Sequence, residues 1–92
     1  MEIKHFDDSK RGHFKAVDND RQIGLMDYVW AGEDKFIIEH TEADPAYKGE
    51  GVGMKLLNKA VQYARDKGVK IIPLCPFAKK MFDRNEDIRD VL

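Results

Sequence analysis

The chain has little of what would tie it to nucleic acid, a membrane or an oxidising compartment. Sixteen basic residues stand against seventeen acidic ones, a formal net charge of −1. No basic field exists to hold a phosphodiester backbone, which argues against DNA or RNA as the main partner. No apolar run nears the roughly 20 residues that a membrane helix needs, and MEIKHFDD reads as a first strand rather than a secretory leader. One cysteine, Cys75, cannot form an internal disulfide, and no Cys/His spacing suits zinc or another metal. Repeats, linkers and low-complexity stretches are missing too. These absences predict a cytoplasmic chain whose residues 1–92 form one domain, a monomer or weak dimer with no nucleic-acid, membrane or metal partner.

What is present is a globular pattern. Hydrophobic residues make up 42% of the chain, enough for a core, and charged residues 36%, enough to solvate its surface. Ninety-two residues bury only a small core, so stability is modest. Ile3–Asp7, His13–Val17, Gln22–Trp30 and Lys35–Glu42 read as strands separated by polar turns at 8–12, 18–20 and 31–34. Short turns between them predict an antiparallel meander.

After residue 50 the period changes. Val52, Leu56, Leu57, Ala60, Val61 and Ala64 fall on one helical face, with Lys55, Asn58, Lys59, Gln62, Arg65 and Asp66 on the other. Gly68 sits where a C-cap belongs. Val69–Leu74 reads as a strand buried on both faces, and Pro76 suits the first turn of a second helix running to about Asn85. The tail allows one more helical turn. The fold class is α+β: a meander, then helix, strand and C-terminal helix, joined by one crossover.

Between the two halves lies Lys48-Gly49-Glu50-Gly51-Val52-Gly53, which opens the stronger helix. Three alternating glycines strip side chains from the loop, and the helix dipole points its positive end there; together they suit a bound anion, most often phosphate. It is neither the dinucleotide fingerprint nor a P-loop, whose glycines are spaced differently. A plain loop-to-helix junction is the other reading of the glycines.

Ile37 to Gly53 runs IIEHTEADPAYKGEGVG: an apolar strand, a Pro-Tyr turn, a basic residue, alternating glycines, then the helix. This order resembles the pyrophosphate-binding motif of the GNAT superfamily of acyl-CoA-dependent N-acetyltransferases, Arg/Gln-x-x-Gly-x-Gly/Ala, with Lys48 in the first place. Lys keeps the charge and loses the bidentate fork of Arg. The resemblance runs from about Lys35 to Asn85. It is closest to a compact, truncated subfamily of GNAT-like acetyl-CoA-binding proteins, marked by His40-Thr41-Glu42 before the loop and Cys75 after the next strand.

The resemblance implies a truncated GNAT-like fold whose second-half strand splays from its neighbour. Full-length GNAT domains carry two helices between their first strands, where only a turn fits here, so the wall that contacts the acceptor is missing. It implies acetyl-CoA as cofactor, held by Lys48, Gly49, Glu50, Gly51, Val52 and Gly53 at the pyrophosphate. Thr41, Glu42 and Ala43 on the splayed strand, with Cys75, Phe77 and Lys79 beyond the slot, complete that set. The activity implied is acetyl transfer to an unidentified amine, a protein amine being favoured; a CoA-binding module without transferase activity is the alternative, and a ligand-free interaction domain a third.

Transfer needs a base for the ammonium and an acid for the departing thiolate. Glu39, His40 and Glu42 lie on the strand before the loop, and an imidazole titrates near neutrality, so His40 suits a base best. Strict alternation places His40 and Glu42 on one face with Ile38, and Glu39 with Thr41 on the other. The packing alternative is a half-buried His bonded within the sheet. Where the family pattern has Asn, then Ala three residues on, then Tyr seven on, this chain has Cys75, Ala78 and Phe82. A phenyl ring donates no proton, which leaves Cys75 as acid, acetyl acceptor or small buried hydrophobe. The catalytic candidates are therefore Cys75, His40 and Glu39.

Overall fold

The computed structural model describes residues 1–92. Five strands, β1 (Glu2–Asp7), β2 (Arg11–Asp18), β3 (Arg21–Trp30), β4 (Lys35–Ala43) and β5 (Lys70–Pro73), lie side by side in sequence order. The first four form the expected antiparallel meander, and β5 adds parallel to β4. Helices α1 (Val52–Lys67) and α2 (Pro76–Arg84) follow β4 and β5; 3-10 turns lie at Pro45–Tyr47 and Glu86–Val91.

Each helix starts and stops where its sequence says. Gly68 caps α1 in the left-handed region at φ 69°, with Arg65 and Lys67 in the last turn to meet the negative dipole end. Pro76 opens α2, where its missing N–H costs nothing. Leu56, Leu57, Ala60 and Ala64 of α1 are fully buried against Phe14, Met26, Tyr28, Phe36 and Ile38 of the sheet. Burying each large apolar side chain contributes about 1.5–3 kcal/mol, which is why so small a core suffices. Ile88 and Val91 of the tail join the same core, and Arg65 clamps that tail through both carboxylate oxygens of Asp90, at 2.7 and 3.0 Å.

Both helices cover the same face. Gly53 of α1 touches the ring of Phe77 of α2, and the buried residues of β2, β3, β4 and β5 all turn toward them. The other face carries no helix. The expectation that Val69–Leu74 is buried on both faces is therefore wrong: only Ile71 of β5 is buried, while Ile72 and Leu74 are exposed. The strand is also shorter than that span, because the chain leaves the sheet at Pro73.

Gly12 was expected in a turn and instead lies inside β2. Tyr28 on β3 fills the space that a side chain at 12 would need, so only glycine fits beneath the tyrosine ring. The Tyr28 hydroxyl donates to Asp7 at 2.5 Å, so His5 Nε2–H must donate to it at 2.6 Å; Trp30 Nε1–H adds a 2.7 Å bond to the same carboxylate. This polar cluster ties β1 to β3 at the far end of α1, away from the glycine loop.

Candidate functional site

A bulge in β4 decides which side chains face where. Tyr28 pairs with Ile38 but Asp27 pairs with His40, so Glu39 is an extra residue with no partner of its own. The extra residue inverts the alternation beyond it. Thr41 now pairs with buried Met26 and shares the helix-covered face with Ile38, while His40 and Glu42 turn to the open face. Strict alternation had put His40 and Glu42 with Ile38, and Thr41 opposite; the bulge reverses that. Glu39 also reaches the open face, where its carboxylate accepts from Arg11 Nη2 at 3.2 Å across β3. His40 Nε2 lies 3.4 Å from Glu42.

The sequence does carry a trace of the bulge. Phe36 and Ile38 alternate as an inward pair, and continuing that phase would bury His40 and Glu42 while exposing Thr41. Shifting the phase by one residue removes the conflict. Arg11, the cation that engages Glu39, comes from a strand with no sequence link to the motif and could not be found this way.

Beyond the bulge, β4 loses its second neighbour. β5 pairs with it only from Lys35 to Ile38, and the last link is the Cys75 N–H, which donates to the Ile38 carbonyl at 2.9 Å. From there the chain turns into α2 while β4 continues to Ala43, leaving a slot between them. The Asp44 N–H donates to Ile23 at 2.8 Å, so alternation directs the backbone groups of Ala43 and Thr41 away from β3, into the slot. Cys75 borders the slot: only 4% exposed, its S–H is 3.5 Å from Thr41 Oγ1. It sits at the α2 N-cap, as its position before Pro76 predicts. Cys75 and His40 thus lie on opposite sides of β4.

The slot leads to the glycine loop. Gly49 and Gly51 take φ of 88° and 69°, a region closed to most L-residues, and a Cβ on either would meet nothing. Their use of glycine is conformational, whereas Gly53 is glycine because the ring of Phe77 lies against it. No side chain caps α1, and the N–H groups of Gly49, Gly51, Val52, Gly53 and Met54 donate to no acceptor in the chain. Five unsatisfied donors at the positive end of a sixteen-residue helix suit a bound anion. A cleft of about 320 Å³ bounded by Ala43, Tyr47, Lys48 and the three glycines opens over them.

Neighbouring contacts hold the loop. Asp44 caps the 3-10 turn through the Ala46 N–H at 2.9 Å and pairs with Arg21; the backbone bond and then the guanidinium keep its carboxyl below the usual range. Tyr47 donates to Asp18 at 2.8 Å, a bond that raises the phenol's pKa. Gly24 on β3 lets the first turn of α1 approach, since a Cβ there would lie 2.6 Å from Val52 Cγ1. Lys79, expected near the phosphates, lies exposed on α2 with no polar contact linking its side chain to the loop.

A splayed parallel strand pair leading to a glycine-opened helix, with free backbone along one and free N–H groups at the other, is the arrangement of the GNAT-type fold. Residues 13–91 match the family described as GCN5-related N-acetyl-transferase, and the chain belongs to that family. Its members use acetyl-CoA as the acetyl donor. A GCN5-like protein of Staphylococcus aureus solved in solution is 32% identical, with a TM-score of 0.77 over 98% of this chain and 85% of that one. An uncharacterized N-acetyltransferase, MJ1207 of Methanocaldococcus jannaschii, is 33% identical over 68% of this chain, which spans only 30% of that relative. The aminoglycoside N-acetyltransferase AAC(6')-Iy, solved with CoA, shares the fold at 13% identity, with a TM-score of 0.67 over 90% of this chain and 88% of that one. No helix of the chain is long and apolar enough to cross a membrane.

Proposed function

We propose that this chain, as one GNAT-like domain, binds acetyl-CoA and transfers the acetyl group to an amine carried by a polypeptide. The carrying observation is the alignment of two sets of unused backbone groups: the N–H donors of Gly49 and of Gly51 to Met54, and the backbone groups of Thr41 and Ala43 along the slot. One suits a pyrophosphate and the other an extended amide-bearing arm. Lys48 adds positive charge at the mouth of the loop, and Phe77, seated on Gly53, walls the slot where α2 departs. Most of this recognition is main chain, which explains how a short chain accommodates a large cofactor.

When bound, acetyl-CoA supplies an activated acetyl thioester. The chain's own residues divide the proton work across β4. His40, on the open face, takes the proton of an incoming ammonium, with Glu42 beside it at 3.4 Å to orient the ring. Glu39 is held by Arg11, and its role is to keep that cation at the entrance rather than to act as base. On the covered side, the Cys75 S–H is the proton donor available for a departing thiolate, because Phe82 is buried and has no hydroxyl.

That same missing phenol favours the second reading, a CoA-binding module with little turnover. One experiment separates them. The purified chain is incubated with acetyl-CoA and followed by native and denaturing mass spectrometry, then by thiol release with a panel of basic peptides. Binding with peptide-dependent release supports the transferase; binding without release supports the module; no binding overturns both. A mass gain of one acetyl on the chain, lost in Cys75→Ala, would make Cys75 an acceptor instead of an acid.

A further inference from the structure

The face of the sheet turned away from both helices is bare, and its charges are sorted. Lys4, Lys15, Leu25 and Glu42 stand side by side across β1 to β4, and Phe6, His13, Asp27 and His40 form the next row. Lys4 and Lys15 are direct cross-strand partners, a like-charge pair that costs stability. Neither forms an ion pair within the chain, and neither does Asp27 on the other half. Phe6, in the same face, is 53% exposed. Apart from Glu2 at the start of β1, the β1–β2 half is short of anions, and the β3–β4 half is short of cations.

We propose that a second copy of this chain occupies the face, in a two-fold dimer whose axis runs parallel to the strands between β2 and β3. Such an axis lays β1 of one copy over β4 of the other, and β2 over β3. Lys4 then meets Glu42 of the second copy, Phe6 meets His40, and the Lys15–His13 edge meets Leu25 and Asp27. Each contact is made twice. An axis across the strands would lay cationic half on cationic half, so the charges themselves select the orientation. Aligned packing of two sheets, rotated about 30°, is an established geometry for faces of this kind.

The patch is small. Three strand spacings of about 4.8 Å make it roughly 14 Å wide. Its two rows offer eight residues per copy, against roughly 20–30 a side in stable complexes, so association is weak and concentration-dependent. His40 and Glu42 lie inside it, so the dimer closes the approach assigned above to the acceptor. That consequence rests on the proposed function; the dimer itself does not.

The test is sedimentation of the chain without cofactor, from about 10 µM to about 1 mM, a span that brackets a weak dissociation constant. The wild type should rise from monomer toward dimer mass. Lys4→Glu with Lys15→Glu, and separately Asp27→Lys with Glu42→Lys, should each stay monomeric, while their equimolar mixture should dimerise. A wild type that is monomeric throughout, or a mixture that associates no more than its parts, overturns the proposal. Should either double variant fail to fold, amide shifts of the wild type on dilution decide. Shifts centred on Phe6, Leu25 and Asp27 support the dimer, and shifts confined to α1 or α2, or none, overturn it.

Discussion

The ring of Phe77 rests on Gly53, so close that a Cβ at position 53 would lie 2.5 Å from Cζ and 3.0 Å from both Cε atoms. This contact fixes the start of α2 against the start of α1, and so fixes the two ends of the proposed cofactor slot relative to each other. Gly53→Ala must push the ring aside. Overpacking of this kind costs about 1–3 kcal/mol, and in a chain of this size each kcal/mol lowers the melting temperature by about 4–8 °C. Gly53→Ala combined with Phe77→Leu should recover part of the loss. A single variant that melts with the wild type would show that the ring yields freely and positions nothing.

Gly51 offers a cleaner probe of the anion seat, because a Cβ there touches nothing. Gly51→Ala then costs only the strain of its φ of 69°, about 1–2 kcal/mol of stability. Gly51→Asp has the same strain and adds negative charge among the free N–H groups. Losing one charge-assisted contact costs about 1.5–3 kcal/mol, on the order of tenfold to a hundredfold in affinity. Calorimetry with acetyl-CoA should show Asp far weaker than Ala. Equal affinities in folded proteins would mean that the pyrophosphate lies elsewhere.

Much of this was legible beforehand, and what was not has a physical reason. The meander, the α1 face and both helix starts follow from periodicity and from Gly and Pro, which act locally. The glycine loop was legible as a motif, but not the different reasons for its glycines: φ at 49 and 51, the Phe77 ring at 53. Strict alternation gives His40 the wrong direction because one inserted residue, Glu39, inverts the strand beyond it. Pairing registers of that kind depend on β3, a partner that no local pattern in β4 names. The Thr41–Cys75 and Arg11–Glu39 contacts join residues 34 and 28 positions apart, and only the folded sheet brings them together.

The division of proton work across β4 makes distinct expectations for its two sides. Cys75→Ala should leave acetyl-CoA affinity within about twofold, since a buried S–H adds little binding, yet slow transfer by about tenfold or more if it is the acid. His40→Gln should flatten the dependence of kcat/KM on pH while leaving affinity alone. Thr41→Val, which removes the oxygen 3.5 Å from Sγ, should alter the rate at which Cys75 is alkylated without touching the His40 profile. A Cys75→Ala enzyme as fast as wild type would return the cysteine to packing.

Stability should fall below neutrality through His5. Desolvation lowers its pKa, outweighing the nearby Asp7 carboxylate; His13 and Lys67 add to the lowering. A base depressed in the native state binds fewer protons there than in the unfolded chain. Stability therefore declines as pH drops below the unfolded value of about 6.5, and stops declining below the native one. Asp7 acts lower on the scale: burial would raise its pKa, but hydrogen bonds from Tyr28, Trp30 and the Ser9 N–H overcome this and hold it down. Its contribution is present above about 4 and is lost as pH falls further. Urea midpoints at pH 7.5 and 5.5 should converge for His5→Phe and diverge for the wild type. Parallel behaviour of the two proteins would place the titration elsewhere.

The open face also limits what the site accepts. β1 runs into β2 through the turn at Asp8–Lys10, with no helix between them, and nothing of this chain overlies His40 and Glu42. A free amine reaching His40 would find one imidazole and two carboxylates about half exposed to water. Few contacts repay its lost translational freedom, and solvent weakens those that form. Polyamines and amino acids should therefore turn over slowly and without saturation. A lysine or N-terminus within a polypeptide brings its own surface to lay on Leu25, Val29 and Ile37, which are only partly buried, and should saturate. Thiol release from acetyl-CoA, measured against free amines and basic peptides at matched amine concentration, compares the two directly. Saturable, efficient turnover of a small free amine would show that the uncovered face closes in a way that the fold does not require.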